Sequence, residues 1–164
     1  MRGHPTPLGA VVRGLVAGAV GTGLMSLHQK LQSSGSGGGS DKGDPWESAP
    51  TPALVARKLA KGIFDRDLPA ERIGELAEAM HWAYGLTWGA VYGLVAGTAR
   101  PSPLKAGPAL AAAVWGASYA QLVPMGLYEP PWTYPPRTVA SDVGYHLTYG
   151  LGVALGYAAV DHAA

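Results

Sequence analysis

The chain has 164 residues, enough for one domain, with a formal net charge of +1 and no cysteine. Its twelve Lys and Arg residues are spread along the chain, so it offers no basic patch for a nucleic-acid partner, and it has no disulfide, thiolate or cysteine-based zinc chemistry. Charged residues make up 14%, against about 25% in an ordinary soluble protein, while glycine occurs 24 times and phenylalanine once: a profile of closely packed membrane helices, not of a Leu/Phe-filled core.

A membrane-spanning helix needs about 20 mostly apolar residues. The first such run covers residues 8–29, interrupted only by Arg13, which lies near enough to the end to snorkel to the headgroups. Ala17-Gly18-Ala19 looks like a signal-peptide cleavage site, but it follows Arg13 too closely to leave an apolar core, so the span is read as uncleaved. Residues 33–44, opening with SSGSGGGS, form a flexible linker by composition. Residues 45–78 read as a surface-helix loop. Thr51 caps a short helix with Pro52 at its first position, and Val55, Leu59 and Ile63 share one face. This amphipathic helix either lies on the membrane surface, with Trp46 and Phe64 as interfacial anchors, or packs over the end of the bundle. Asp65-Arg66-Asp67 breaks it, and Pro69 opens another helix that runs into the second span.

The second span, residues 79–99, carries Gly85, Gly89, Gly93 and Gly97, one every fourth residue, with His81 one turn earlier on the same stripe. In water each helical glycine costs roughly 0.8–1 kcal/mol relative to alanine. In a membrane, small residues let a second backbone approach closely, so this face predicts helix packing. Tyr84, Trp88 and Tyr92 form another stripe, read as packing rather than as a ligand box. A short loop, RPSPLK, leads to the third span, 106–128, as an antiparallel neighbour with a kink expected at Pro124. The segment YEPPWTYPPR is too proline-rich for helix, and its aromatic residues suit the headgroup layer. Thr138 then caps the fourth span, 139–160, whose Gly152 and Gly156 repeat the small-residue spacing. The expected fold is all-α: a polytopic membrane protein with four transmembrane helices in an antiparallel bundle, plus short amphipathic helices in the first loop.

Antiparallel order collects the polar residues at one end: His28 and Gln29, His81, Gln121 and Glu129, Asp142 and His146. Asp142 and His146 are four apart and share a helix face. With His81 they are the candidate group for a transition metal or a proton relay. The bland alternative, weighed ahead of it, is that such residues near span ends bridge helices or meet headgroups, so no metal, cofactor or catalytic residue is assigned. Nothing resembles a Ser/His/Asp triad, a phosphate loop or a dinucleotide fingerprint.

The ordered motifs WESAPTP at 46–52, HWAYG at 81–85 with Trp88-Gly89, Gly126-Leu127-Tyr128, Ser141-Asp142 and YHLTYG at 145–150 resemble the YagU-like family of bacterial inner-membrane proteins, a domain of unknown function. The resemblance implies a multi-pass protein of the bacterial cytoplasmic membrane and no reaction. The expected function is a non-enzymatic structural, assembly or stress-related membrane module, with the lipid bilayer and a second copy of the chain as partners. The alternative is a small proton or metal-ion channel or transporter using the polar end. Arg2, Arg13, Arg100 and Lys105 place both termini in the cytoplasm; seven Lys and Arg between residues 30 and 72 pull the other way and are assigned to the folded surface helix.

Overall fold

Proline starts three of the long helices, at the one helical position where its missing N–H and fixed φ cost nothing. The computed structural model describes residues 5–33 and 44–163. Among them are α1 (Pro7–Ser33), α2 (Thr51–Phe64), α3 (Ile73–Ala99), α4 (Pro103–Leu122) and α5 (Pro136–Ala163), with single 3-10 turns at Ala70–Arg72 and Pro131–Thr133 and no strand. The expected linker lies, over 34–43, outside the described residues. The all-α class stands.

The element ends differ from the sequence reading for local reasons. Thr51 is the first residue of α2 and not its cap, because Pro50 takes the cap position with no side-chain bond. Thr138 lies inside α5, which Pro136 opens. The helix of the third expected span, α4, stops at Leu122 instead of 128, so Pro124 stands beyond it, and the proline inside α4 is Pro108. Arg100, at φ 44°, ends α3 before the short loop to α4.

Length and hydropathy together single out one helix among the described residues as able to cross a membrane, α1. A buried core helix or a signal sequence passes the same test. The helices over the other three expected spans fall short of it. Tyr, Trp, His and Thr interrupt α3, Tyr, His and Thr interrupt α5, and Gly, Pro, Tyr and Gln interrupt α4, and each of these residues lowers the hydropathy of a span-length window.

The chain divides into two compact units, Met1–Ser34 with Gly85–Ala164, and Gly35–Tyr84. In the first, α1 packs antiparallel to both α3 and α5, and α5 antiparallel to α4. Small residues set these contacts. A Cβ on Gly89 would lie 2.5 Å from the Gly14 carbonyl oxygen and 2.5 Å from Gly18 Cα; on Gly93 it would meet the Ala10 carbonyl oxygen, and on Gly85 the Thr22 hydroxyl. Gly21 and Gly152 bring α1 onto α5, and Gly107 and Gly150 bring α4 onto α5. Gly156 is looser, with Val20 Cβ at 3.4 Å. Thr22, 1% exposed, donates its hydroxyl to the Gly18 carbonyl at 2.8 Å, and Tyr149 Oη donates to the Gly85 carbonyl at 2.6 Å. At the opposite end of α1, Arg13 pairs with Asp161.

In the second unit, Trp46 is buried at 6% exposure, with the Arg57 guanidinium over its ring at 4.8 Å. Trp46 is therefore not a surface anchor: its backbone N–H donates to Asp44 Oδ1, which turns the chain so that the indole packs inward. Phe64 is exposed, as are Leu59 and Ile63, while Ala53 and Ala56 are the buried residues of α2. The Asp65 and Asp67 carboxylates beside Lys61 raise its ammonium pKa. After Pro69 the turn at Ala70–Arg72 passes directly into α3.

Candidate functional site

Gly150 and Gly107 hold α4 and α5 at backbone contact, and larger side chains fill the space one to three turns further along. Trp115 and Tyr119 are four apart on α4 and so face the same way, toward the start of α5. Both converge on Asp142. Trp115 Nε1–H donates to Asp142 Oδ2 at 2.8 Å, and Tyr119 Oη donates to the same oxygen at 3.3 Å. His146 Nδ1 lies 2.8 Å from the Asp142 carbonyl oxygen and 3.3 Å from Oδ1. Two oxygen acceptors face that nitrogen, so the geometry assigns the proton to Nδ1, which donates to them. Asp142 is thus a half-buried carboxylate held by two neutral donors and one imidazole.

Asp142 also forms part of the wall of an open cleft of about 610 Å³. The rings of Tyr119, Tyr128, Tyr134 and Tyr145 line it, together with Arg137. The Trp115 and Tyr119 rings meet at 5.0 Å, tilted by 55°, and those of Tyr119 and Tyr128 at 5.2 Å, tilted by 59°. The proline-rich segment folds back to supply Tyr134, whose hydroxyl accepts the Glu129 backbone N–H at 3.0 Å. Trp132 points out, 82% exposed.

Of the polar residues that sequence order collects at one end, Asp142 and His146 meet, and His28 takes other partners. His28 Nδ1 is 2.8 Å from Thr148 Oγ1, its Nε2 is 2.9 Å from Gln32 Nε2, and its ring meets Tyr145 edge-on at 5.0 Å. Tyr145 Oη in turn donates to Gln32 Oε1. His28 therefore bridges α1 to α5 and is not a partner of Asp142. Glu129 and Gln121 are exposed. His81 is half-buried on the part of α3 that belongs to the second unit, whereas Asp142 and His146 belong to the first. Among the described residues no three His, Asp or Glu side chains come together as a group that could hold a metal ion.

Gly85, Gly89, Gly93 and Gly97 are all buried, as is Gly152, while Gly156 is half-buried. The residues that sequence reasoning missed are Trp115 and Tyr119. Their four-residue spacing near the end of α4, at the depth of Asp142, was the available signal. Compared with protein-family models, curated proteins and solved structures, the chain matches none.

Proposed function

We propose that the chain is a small polytopic protein of the bacterial cytoplasmic membrane, with α1, α3, α4 and α5 as spans, acting as a non-enzymatic packing or assembly module. The observation that carries this reading is an inverted distribution of side-chain size. On α1 the buried face is Ala10, Gly14, Ala17, Gly18, Gly21, Thr22 and Met25. The exposed face is Leu8, Val12, Val16, Val20, Leu24, Leu27 and Leu31. On α3 and α5, Val91, Leu94, Val95, Val143, Leu147 and Leu155 also face out. Water would drive these large groups inward, at about 1.5–3 kcal/mol for each fully buried side chain. Lipid removes that drive and leaves close packing of small residues as the source of helix association. Leu8 to Leu31 covers about 35 Å at 1.5 Å per residue, against about 30 Å of hydrocarbon.

A packing role is supported over conduction by the backbone contact of α1 with α3, which leaves no lumen between them. Alkaline extraction and flotation test the membrane reading: the chain is expected to stay with the vesicles. Val16→Asp, on the exposed face in the middle third of α1, is expected to impair insertion by up to about 2.5–3.5 kcal/mol. Recovery of wild-type protein as a monodisperse species without detergent rejects it. Proteoliposomes are expected to show no proton or zinc flux above empty vesicles; flux that His146→Ala abolishes moves the function to the channel alternative.

A further inference from the structure

We propose that the tyrosine-lined cleft beside Asp142 binds a small ammonium–phosphate zwitterion, its ammonium against Asp142 among the rings and its phosphate at Arg137. The volume of about 610 Å³ lies within the ordinary range of small-molecule sites. Four tyrosines line one cleft, and electron-rich aromatic rings attract an organic cation. Asp142 gives the same site a formal negative charge. Its partners Trp115 and Tyr119 are neutral donors that hold the carboxylate in place without cancelling that charge. Only His146 stands within ion-pair range of it among the described residues, and the carboxylate attracts a bound cation more strongly while that imidazole is neutral.

Arg137 lies five residues before Asp142 on α5, about 7.5 Å along the axis. Arg137 is the Lys or Arg residue that lines the cleft, and a guanidinium suits a phosphate through paired N–H donors. One wall therefore offers an anion with aromatic rings, and a neighbouring position offers a cation. A bare cation would leave Arg137 unused, and a bare phosphate would meet Asp142. A ligand carrying both charges on a short link satisfies the two ends together. The same chemistry occurs in a free phosphocholine-like compound and in a zwitterionic lipid headgroup.

The test is calorimetric titration of the full chain in maltoside micelles with choline, phosphocholine and inorganic phosphate. Choline is expected to bind, phosphocholine to bind more tightly, and inorganic phosphate not to bind. Asp142→Asn and Tyr134→Leu are each expected to weaken both organic ligands by about tenfold or more. Arg137→Gln is expected to weaken phosphocholine toward the choline value and to leave choline unchanged. Arg137 is exposed at the start of α5, so Arg137→Gln reports on the cleft even if Asp142→Asn fails to fold. Absence of saturable heat with both organic ligands overturns the proposal, as does phosphocholine affinity that Arg137→Gln leaves unchanged. Reconstitution in nanodiscs identifies the source. Loss of choline binding in phosphatidylcholine but not phosphatidylglycerol discs marks a lipid headgroup as the occupant, and binding retained in both marks a free compound.

Discussion

Gly89→Ala adds a single methyl group where the backbones of α1 and α3 meet, so its effect follows from the backbone geometry. The new Cβ would lie 2.5 Å from the Gly14 carbonyl oxygen, 2.5 Å from Gly18 Cα and 2.8 Å from Gly18 N. All three are backbone atoms, so no rotamer change relieves the overlap. Ordinary contact begins at 3.4 Å, which requires the two helices to part by about 0.9 Å. A gap of that size forfeits about a quarter to a half of the dispersion well for each atom pair across it. Overpacking of this kind costs about 1–3 kcal/mol. Alanine returns about 1 kcal/mol of helix propensity, so the expected net loss relative to wild type is about 0–2 kcal/mol. At about 2–4 °C per kcal/mol for a chain of this length, the midpoint falls by up to about 8 °C. The assay is thermal melting of purified protein in one detergent, with Gly116→Ala as control. A Cβ on Gly116 meets nothing within 4 Å, so that variant is expected to melt at or above wild type. If Gly89→Ala melts with Gly116→Ala, the glycine face does not carry the α1–α3 contact and the reasoning fails.

Four further outcomes follow from individual contacts. Tyr157 Oη is buried without a hydrogen-bond partner among the described residues, so Tyr157→Phe is expected to leave stability unchanged or raise it by up to about 1 kcal/mol in the same melting assay. Tyr149→Phe removes the 2.6 Å bond to the Gly85 carbonyl and is expected to cost about 1 kcal/mol; no loss assigns that bond no net value. Arg13→Leu leaves Asp161 without its partner and is expected to cost about 1–2 kcal/mol, below the fully buried figure because both side chains are partly exposed, with the Arg13→Leu/Asp161→Leu double variant recovering part of the loss. Reporter fusions at residue 36 and after Ala164 are expected to place the carboxy terminus in the cytoplasm and the first loop outside; a cytoplasmic signal from the first-loop fusion reverses the orientation.

Much of the secondary structure is legible in the sequence because it depends on neighbours along the chain. Proline and the run of Ser and Gly punctuate it, and apolar stretches between them have helical length. The four-residue glycine period marks one face of α3 by helix geometry alone. Where the reading erred, the cause was also local: Thr51 and Thr138 are plausible caps, but the adjacent prolines start the helices earlier or take the cap position. Trp46, just before the amphipathic helix, suits an interfacial anchor by residue type; a turn at Asp44 and the Arg57 guanidinium bury it instead.

By itself, then, the sequence determined that the chain is helical, that α3 has a side-chain-free face, and that Asp142 and His146 share one face of α5. Each of these is a matter of spacing within a single element. Tertiary structure alone decided that α1 covers the glycines, that Trp115 and Tyr119 from α4 hold the Asp142 carboxylate, and that His28 goes to Thr148. It also decided that residues 128–137, read as a proline-rich stretch of the headgroup layer, fold back to line the Asp142 cleft with Tyr128, Tyr134 and Arg137. The physical reason is that residues sharing a depth in a bundle meet only if their helices pack together and are rotated to face each other. Pairing and rotation are set by the summed fit of whole faces, such as the backbone contact of Gly107 with Gly150, and not by the polar residues themselves.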